Sequence, residues 1–234
     1  MSWYEIFFGD ERYLYLLRGL EVTLLLTIFS TIIGLLLGLI VALMQQSVWQ
    51  PFSRAKCKLK DWRPIAWAAS IYTTVIRGTP VLVQLLIMYY VVFGDIPSMS
   101  KLWIASIAFG INSSAYVAEI IRGGISGIDR GQTEAARSLG LTHWQTMRYV
   151  ILPQALKTSL PALISEFIAL LKETSIVGWI GMNDLMRGAD NIRFQTATAF
   201  ESLLAAAVIY LILTTIFTRI MKRVERSLQT DVSD

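Results

Sequence analysis

Ionisable residues inside long apolar runs are the positions at which this sequence could perform binding chemistry. Glu166 and Glu173 lie seven residues apart in a run rich in Leu, Ile and Ala, so on a helix both would face nearly the same side. A charge within an apolar layer is costly unless it faces a wet cavity or a polar partner. Glu166 could therefore pair with an ammonium group or a cationic side chain of a small ligand, or hydrogen-bond another helix. For Lys172 and Glu173 we expect a structural or gating ion pair.

A second group of candidates surrounds a glycine and a proline in another apolar run, Arg77-Gly78-Thr79-Pro80. Proline removes a helical hydrogen bond and glycine relaxes the backbone, so this run predicts a broken helix. Thr79 would cap the second half and Pro80 would begin it. Because helix starts attract anions, we expect Thr79 and nearby amides, with Arg77, to meet a carboxylate. Arg77 could equally be a structural anchor.

The third apolar run contains two more polar features. Asn112, Ser113 and Ser114 form a patch that could contact a ligand, although hydrogen bonding between helices explains it at least as well. Glu119 and Arg122 are three residues apart and could pair along one helix face. We expect them to act as scaffold rather than in recognition.

Long apolar segments must position all these residues. The chain has 234 residues, of which only 16% are charged, against about one-quarter in soluble domains. About 20 apolar residues cross a hydrocarbon core of roughly 30 Å, and five segments are that long: approximately 20–44, 67–93, 102–121, 158–182 and 197–218. The sequence therefore predicts an all-α membrane protein with one transmembrane domain over residues 1–234. In its first span Ser30, Gly34, Gly38 and Ala42 recur every fourth position, which predicts close packing against another helix.

The distribution of lysine and arginine gives the orientation. Most lie in the segment between spans 1 and 2, in the segment between spans 3 and 4, and in the tail: Arg54, Lys56, Lys58, Lys60, Arg63, Arg122, Arg130, Arg137, Arg148, Lys157, Arg219, Lys222, Arg223 and Arg226. Fewer lie on the opposite side: Arg12, Arg18, Lys101, Arg187 and Arg193. Because cytoplasmic loops are enriched in these residues, we expect the N-terminus outside and the C-terminus in the cytoplasm.

The segment of about residues 122–157 is polar but locally ordered. Asp129 followed by Gln132 resembles a capping box that opens a short helix, and Gly140 suits the left-handed position that ends it. Thr142 and Gln145 repeat the capping signal for a second short helix that ends before Pro153. The sequence thus predicts two short helices that meet at a glycine on the cytoplasmic side. They could insert into a partner's groove or pack beneath their own spans.

Several of these motifs resemble a known family. Glu134-Ala135-Ala136, Gly140, Val150 and Leu152-Pro153 are similar to the EAA motif of bacterial ABC-importer permeases, with Val150 where the family usually has Ile. Residues 77–80, 115–124 and 166–175 resemble the polar amino acid branch, which comprises histidine, glutamine and arginine permeases. The resemblance extends from span 1 to span 5.

The resemblance implies a five-span permease subunit that pairs with an identical or related copy. It also implies two copies of a separate ATPase that accept the cytoplasmic helices, and an external solute-binding protein that delivers a polar or charged amino acid. The residues expected in ATPase coupling are Glu134, Ala135, Ala136, Gly140, Trp144 and Pro153. The expected substrate-binding residues are Glu166, Thr79, Arg77 and Asn112.

The sequence contains no phosphate-binding loop of the type G-x-x-x-x-G-K-[ST]. We therefore expect no cofactor in this chain, with ATP and Mg bound by the partner ATPase, and no enzymatic activity of its own. One cysteine, Cys57, and one histidine, His143, give no metal-ligand spacing.

Other classes of function fit the sequence less well. An intramembrane enzyme lacks support, because no H-E-x-x-H occurs and Ser126 lacks the second glycine of a nucleophile elbow. An ion-coupled carrier would need internal repeats that this chain does not clearly have. A permease for another small charged solute, such as an opine, stays open.

Overall fold

The computed structural model describes residues 2–47, 49, 62–96 and 98–230, with side chains as far as residue 225. Within these ranges all regular structure is helical. The α-helices are α1 (Trp3–Phe8), α2 (Tyr13–Gln45), α3 (Pro64–Arg77), α4 (Val81–Ile87), α5 (Lys101–Ser126), α6 (Arg130–Ser138), α7 (His143–Thr146), α8 (Leu152–Glu173), α9 (Leu185–Thr196) and α10 (Ala199–Thr230). Short 3-10 turns cover Gly9–Glu11 and Thr174–Ile180, and π turns cover Met88–Val92 and Met147–Ile151. The predicted inner basic residues Arg54, Lys56, Lys58 and Lys60, and Cys57, lie outside the described residues.

Three of the described helices are long and apolar enough to cross a membrane. They are Tyr13–Gln45, Lys101–Ser126 and Ala199–Glu225. The first two contain the predicted spans 20–44 and 102–121, and the third covers all but the first two residues of the predicted span 197–218. The predicted span 67–93 falls on α3 and α4, which together pass the same test as a pair bent by 102°. The predicted span 158–182 falls on α8 and the turn after it, and α8 is not among the three.

The predicted break in the second apolar run is confirmed, but the predicted cap is wrong. α3 ends at Arg77 and α4 begins at Val81. Pro80, not Thr79, occupies the cap position of α4. The hydroxyl of Thr79 instead donates to the carbonyl of Val75 at 3.0 Å, because a threonine just past a helix end can satisfy a carbonyl of the preceding turn.

The core of the bundle is the contact between α2 and α5. Ser30, Gly34, Gly38 and Ala42 are all buried along α2, as their spacing predicts. A Cβ on Gly38 would lie 2.5 Å from Val117 Cγ1, so only glycine allows this approach. Helix α5, buried over most of its length, thus becomes the central element that other helices surround.

Two short helices follow α5, as predicted, and meet at Gly140, whose φ of +85° is left-handed. Thr142 and Gln145 form the predicted capping box. The predicted box at Asp129 is only half right, because its side chain accepts from the amide of Gly131 and its own backbone N–H donates no reciprocal bond to the side chain of Gln132.

The second short helix does not end before Pro153. It continues through the π turn Met147–Ile151 into α8, where Pro153 lies in the first turn. The preceding π turn already departs from the α-helical hydrogen-bond pattern, so the missing N–H of proline is accommodated there. The second polar helix is therefore continuous with the helix that carries Glu166.

Candidate functional site

Glu166 is a half-buried carboxylate in the middle of α8. Its Oε1 accepts a hydrogen bond of 2.7 Å from the hydroxyl of Ser113 on α5. Ser113 is itself buried where α2 passes, since a Cβ on Gly34 would lie 3.1 Å from the Ser113 hydroxyl oxygen. The second carboxylate oxygen of Glu166 accepts no hydrogen bond from the described residues, so it can receive one from a ligand.

Asn112 connects α5 to the break between α3 and α4. Its Nδ2 donates to Gln84 Oε1 at 2.9 Å. The amide nitrogen of Gln84 in turn donates to the carbonyl of Ile76 and to the hydroxyl of Thr79, each at 2.7 Å. This chain of hydrogen bonds fixes the broken segment against α5 and brings Asn112 and Thr79 to one place.

Arg77 points to a different group. Its Nη1 lies 3.6 Å from Glu119 Oε2, and its guanidinium lies over the ring of Tyr116 at 5.3 Å from the centroid. Arg122 donates to the same glutamate oxygen at 2.8 Å, which confirms the predicted pairing of Glu119 with Arg122. Gln45 of α2 donates to Glu119 Oε1 at 2.9 Å. This network joins α2, α3 and α5.

The four predicted substrate residues thus divide between neighbouring polar groups. Asn112 and Thr79 are linked through Gln84, and Arg77 lies against Glu119. Glu166 accepts from Ser113, which is next to Asn112 in the sequence. The predicted ion pair of Lys172 with Glu173 is not among the salt bridges of the described residues. Consecutive helix residues point to different sides, which explains its absence.

Sequence reasoning missed the two glutamines that connect these groups. Gln84 stands alone in the apolar helix Val81–Ile87, and Gln45 ends α2. A single amide inside an apolar helix is itself a signal, because burial requires it to find partners. The partners could not be predicted, however, since Gln84 and Asn112 are 28 positions apart and Gln45 and Glu119 are 74 positions apart.

The residues predicted for ATPase coupling lie on α6, α7 and the start of α8. Ala136 is buried against the chain, whereas Glu134, Ala135, Gly140, Trp144 and Pro153 are exposed. Leu139 next to the glycine is 84% exposed and Trp144 is 60% exposed. The turn around Gly140 therefore presents apolar side chains outward, as a docking surface would.

An all-helical bundle with a broken helix and carboxylates facing an internal polar region is the arrangement of membrane transport proteins. Residues 61–230 match the family described as "Binding-protein-dependent transport system inner membrane component". The chain belongs to this family, whose members are non-catalytic transport subunits.

Relatives with substantial identity span most of the chain. It is 43% identical over 180 residues to the arginine transport system permease protein ArtQ of Bacillus subtilis, covering 75% of this chain and 80% of that protein. It is 34% identical over 207 residues to the glutamate/aspartate import permease protein GltK of Escherichia coli, covering 85% and 87%.

Solved structures agree with the fold. A crystal structure of an amino acid ABC transporter with histidines matches with a TM-score of 0.80 and 45% identity, covering 94% of this chain and 98% of that one. An inward-facing MetNI methionine ABC transporter matches with a TM-score of 0.75 over 92% of this chain and 96% of that one, at 21% identity. The second likeness concerns the fold alone.

Proposed function

We propose that this chain is the membrane-spanning permease subunit of an ATP-driven ABC importer that carries polar or charged amino acids across the bacterial cytoplasmic membrane. The single observation that carries the proposal is Glu166, a half-buried carboxylate fixed by Ser113 in a member of this transport family. Relatives named for arginine and for glutamate and aspartate support an amino acid as the substrate.

The proposed substrate contacts divide according to charge. Glu166 would accept from the ammonium group or from a cationic side chain, because its second oxygen is available and carboxylates form strong charge-assisted bonds. Asn112 and Thr79 would contact the other end of the amino acid. Arg77, which lies against Glu119, would contact it from the neighbouring cavity. Asn112 and Thr79 are both hydrogen-bonded to Gln84. A ligand that contacts either residue would therefore be positioned by the break between α3 and α4.

The proposed topology has five spans, with the N-terminus outside and the C-terminus in the cytoplasm. α3 with α4 would form one broken span, and α8 with the following turn would form another. Residues 1–234 would make one transmembrane domain whose coupling loop covers about residues 122–157. The supporting feature is the basic composition of that loop and of the end of α10.

The proposed partners are those of a binding-protein-dependent transport system, and the exposed turn around Gly140 supports an ATPase among them. We expect a homodimer or heterodimer of permeases, two copies of an ATPase on the cytoplasmic side, and an extracytoplasmic solute-binding protein. Glu134, Ala135, Ala136, Gly140, Trp144 and Pro153 would contact or shape the groove-binding surface. ATP and Mg would be bound by the ATPase, since this sequence has no phosphate-binding loop.

Reconstitution of the assembled complex tests this function. The permease, its ATPase and its binding protein would be placed in lipid vesicles, and ATP hydrolysis would be measured with the binding protein empty or loaded with each of a panel of amino acids. We expect a polar amino acid to stimulate hydrolysis several-fold. Stimulation by an opine alone would show that the substrate is an opine and not an amino acid of the panel. No stimulation by any solute would contradict the proposal.

A further inference from the structure

The polar cavity beside Arg77 lies apart from the hydrogen bond between Ser113 and Glu166. This cavity of about 520 Å³ is lined by Gln45, Ser70, Thr74, Arg77, Glu119 and Arg122, among others. Its volume falls within the range of about 300–1,000 Å³ that is typical of small-molecule sites. Along α5, Asn112 and Glu119 are seven residues apart and share a face, so the cavity lies about 10 Å along the axis from Asn112.

Arg77 is the least engaged cation in this cavity. At 3.6 Å its contact with Glu119 is an ion pair without a hydrogen bond. None of the hydrogen bonds in the described part of the chain is donated by the Arg77 side chain, whereas Arg122 already gives two to Glu119. Arginine presents a planar fork of donors that matches a carboxylate. The cavity therefore has two arginines for one glutamate, with the donors of one arginine available.

One face of α3 supplies complementary acceptors. Ser70, Thr74 and Arg77 are spaced by four and three residues, so they follow one stripe. The hydroxyl of Ser70 donates to Ala66 and that of Thr74 donates to the carbonyl of Ser70, each at 2.8 Å. Because their hydrogens are used, the two exposed oxygens can accept from an ammonium group.

We propose that this cavity is a second binding station for the transported amino acid, in which Arg77 holds the α-carboxylate and Ser70 with Thr74 accept from the ammonium group. The inference rests on the proposed function. The Arg77 side chain is 44% exposed, and a charge so exposed is costly against hydrocarbon, so it faces a wet space or a polar partner. The stripe runs from the break toward the start of α3, so a ligand leaving Thr79 would reach it next.

Binding stoichiometry tests the station. Equilibrium binding of tritiated L-arginine and L-glutamine would be measured on the detergent-solubilised, nucleotide-free complex. We expect two molecules of the preferred amino acid per copy of this chain. The double variant Ser70→Ala with Thr74→Val should bind one, and should lower the maximal uptake rate several-fold without changing the KM. Arg77→Lys, which retains the charge but loses the fork, should also weaken the second binding event.

A matched control is Thr214→Val with Thr218→Val on α10, whose hydroxyls are likewise bonded to their own helix. It should retain two molecules per chain. One molecule per wild-type chain, or two in the Ser70 and Thr74 double variant, would overturn the station while leaving the proposed function intact. A wild-type complex that binds neither of these two, nor any other amino acid of the panel used in the reconstitution, would overturn both.

Discussion

The hydroxyl of Ser113 on α5 donates to Glu166 on α8 across 2.7 Å. Ser113 can occupy this position because Gly34 on α2 has no side chain. A Cβ added at Gly34 would lie only 3.1 Å from the Ser113 hydroxyl oxygen. Three helices thus determine the position of one carboxylate. The charge of Glu166 can be removed without disturbing this packing, so its role in binding can be separated from its role in structure.

Glu166→Gln should weaken substrate binding while sparing assembly. The amide retains an oxygen that can accept from Ser113 but loses the negative charge. Hydrogen bonds to charged groups contribute about 1.5–3 kcal/mol, and about 1.4 kcal/mol is tenfold in affinity. We therefore expect the KM of uptake in vesicles to rise about tenfold or more. Glu21→Gln, at an exposed position on α2, should leave it unchanged. Equal KM values for wild type and Glu166→Gln would remove Glu166 from the site.

Gly38→Ala should destabilise the bundle, whereas Gly123→Ala should not. An added Cβ at Gly38 would lie 2.5 Å from Val117, while nothing lies within 4 Å of one at Gly123. Overpacking of this kind costs about 1–3 kcal/mol, but alanine in an open helix position stabilises by up to about 1 kcal/mol. Melting temperatures in detergent should therefore move in opposite directions. A Gly38→Ala protein that melts at the wild-type temperature would show that α2 and α5 are less closely packed.

The turn at Gly140 should tolerate asparagine but not valine. The φ of +85° is left-handed, and no atom lies within 4 Å of an added Cβ, so any penalty comes from the backbone. Non-glycine residues lose about 1–2 kcal/mol in this conformation, and asparagine accepts it best. We expect Gly140→Val, like Gly140→Pro and Glu134→Lys, to stay in the membrane but to reduce co-purification of the ATPase. Gly140→Asn should behave nearly as wild type. If all four variants retain the ATPase and transport normally, the coupling role is wrong.

Gln84→Glu should disturb the break in the second span. Glutamate keeps an acceptor for Asn112 but cannot donate to the partly buried carbonyl of Ile76 or to the exposed hydroxyl of Thr79. Loss of a partner costs a fully buried group about 1–3 kcal/mol, and a partly buried one less. Uptake should fall at least tenfold. Gln195→Glu, which changes an exposed bond to Tyr15, is the matched control. Similar uptake by the two variants would show that the geometry of the break does not govern transport.

Local signals in the sequence predicted much of this arrangement. Gly78 with Pro80 predicted the broken helix, and Thr142 with Gln145 predicted a cap that the structure contains. The four-residue spacing of Gly34 and Gly38 predicted the helix contact. Each of these depends on backbone preferences or on spacing within a single helix, which the sequence records directly.

Predictions failed where a residue had a choice between neighbours. Thr79 could begin the next helix or satisfy the preceding one, and it does the second. Pro153 could end a helix or start one, and a π turn before it allows the chain to continue. The contact of Arg77 with a carboxylate ligand stays a prediction, but its contact with Glu119 was not predicted, because it depends on how α3 packs against α5. Such choices are made by tertiary packing, which no local pattern encodes.

The most direct test of the account is uptake of radiolabelled amino acids by cells expressing this chain with its ATPase and binding protein, comparing wild type with Glu166→Gln. The account predicts uptake that requires ATP, survives ionophores while ATP lasts, favours one or two polar amino acids and falls in the variant. Uptake that ignores ATP but collapses with the proton gradient would contradict it and would indicate an ion-coupled carrier.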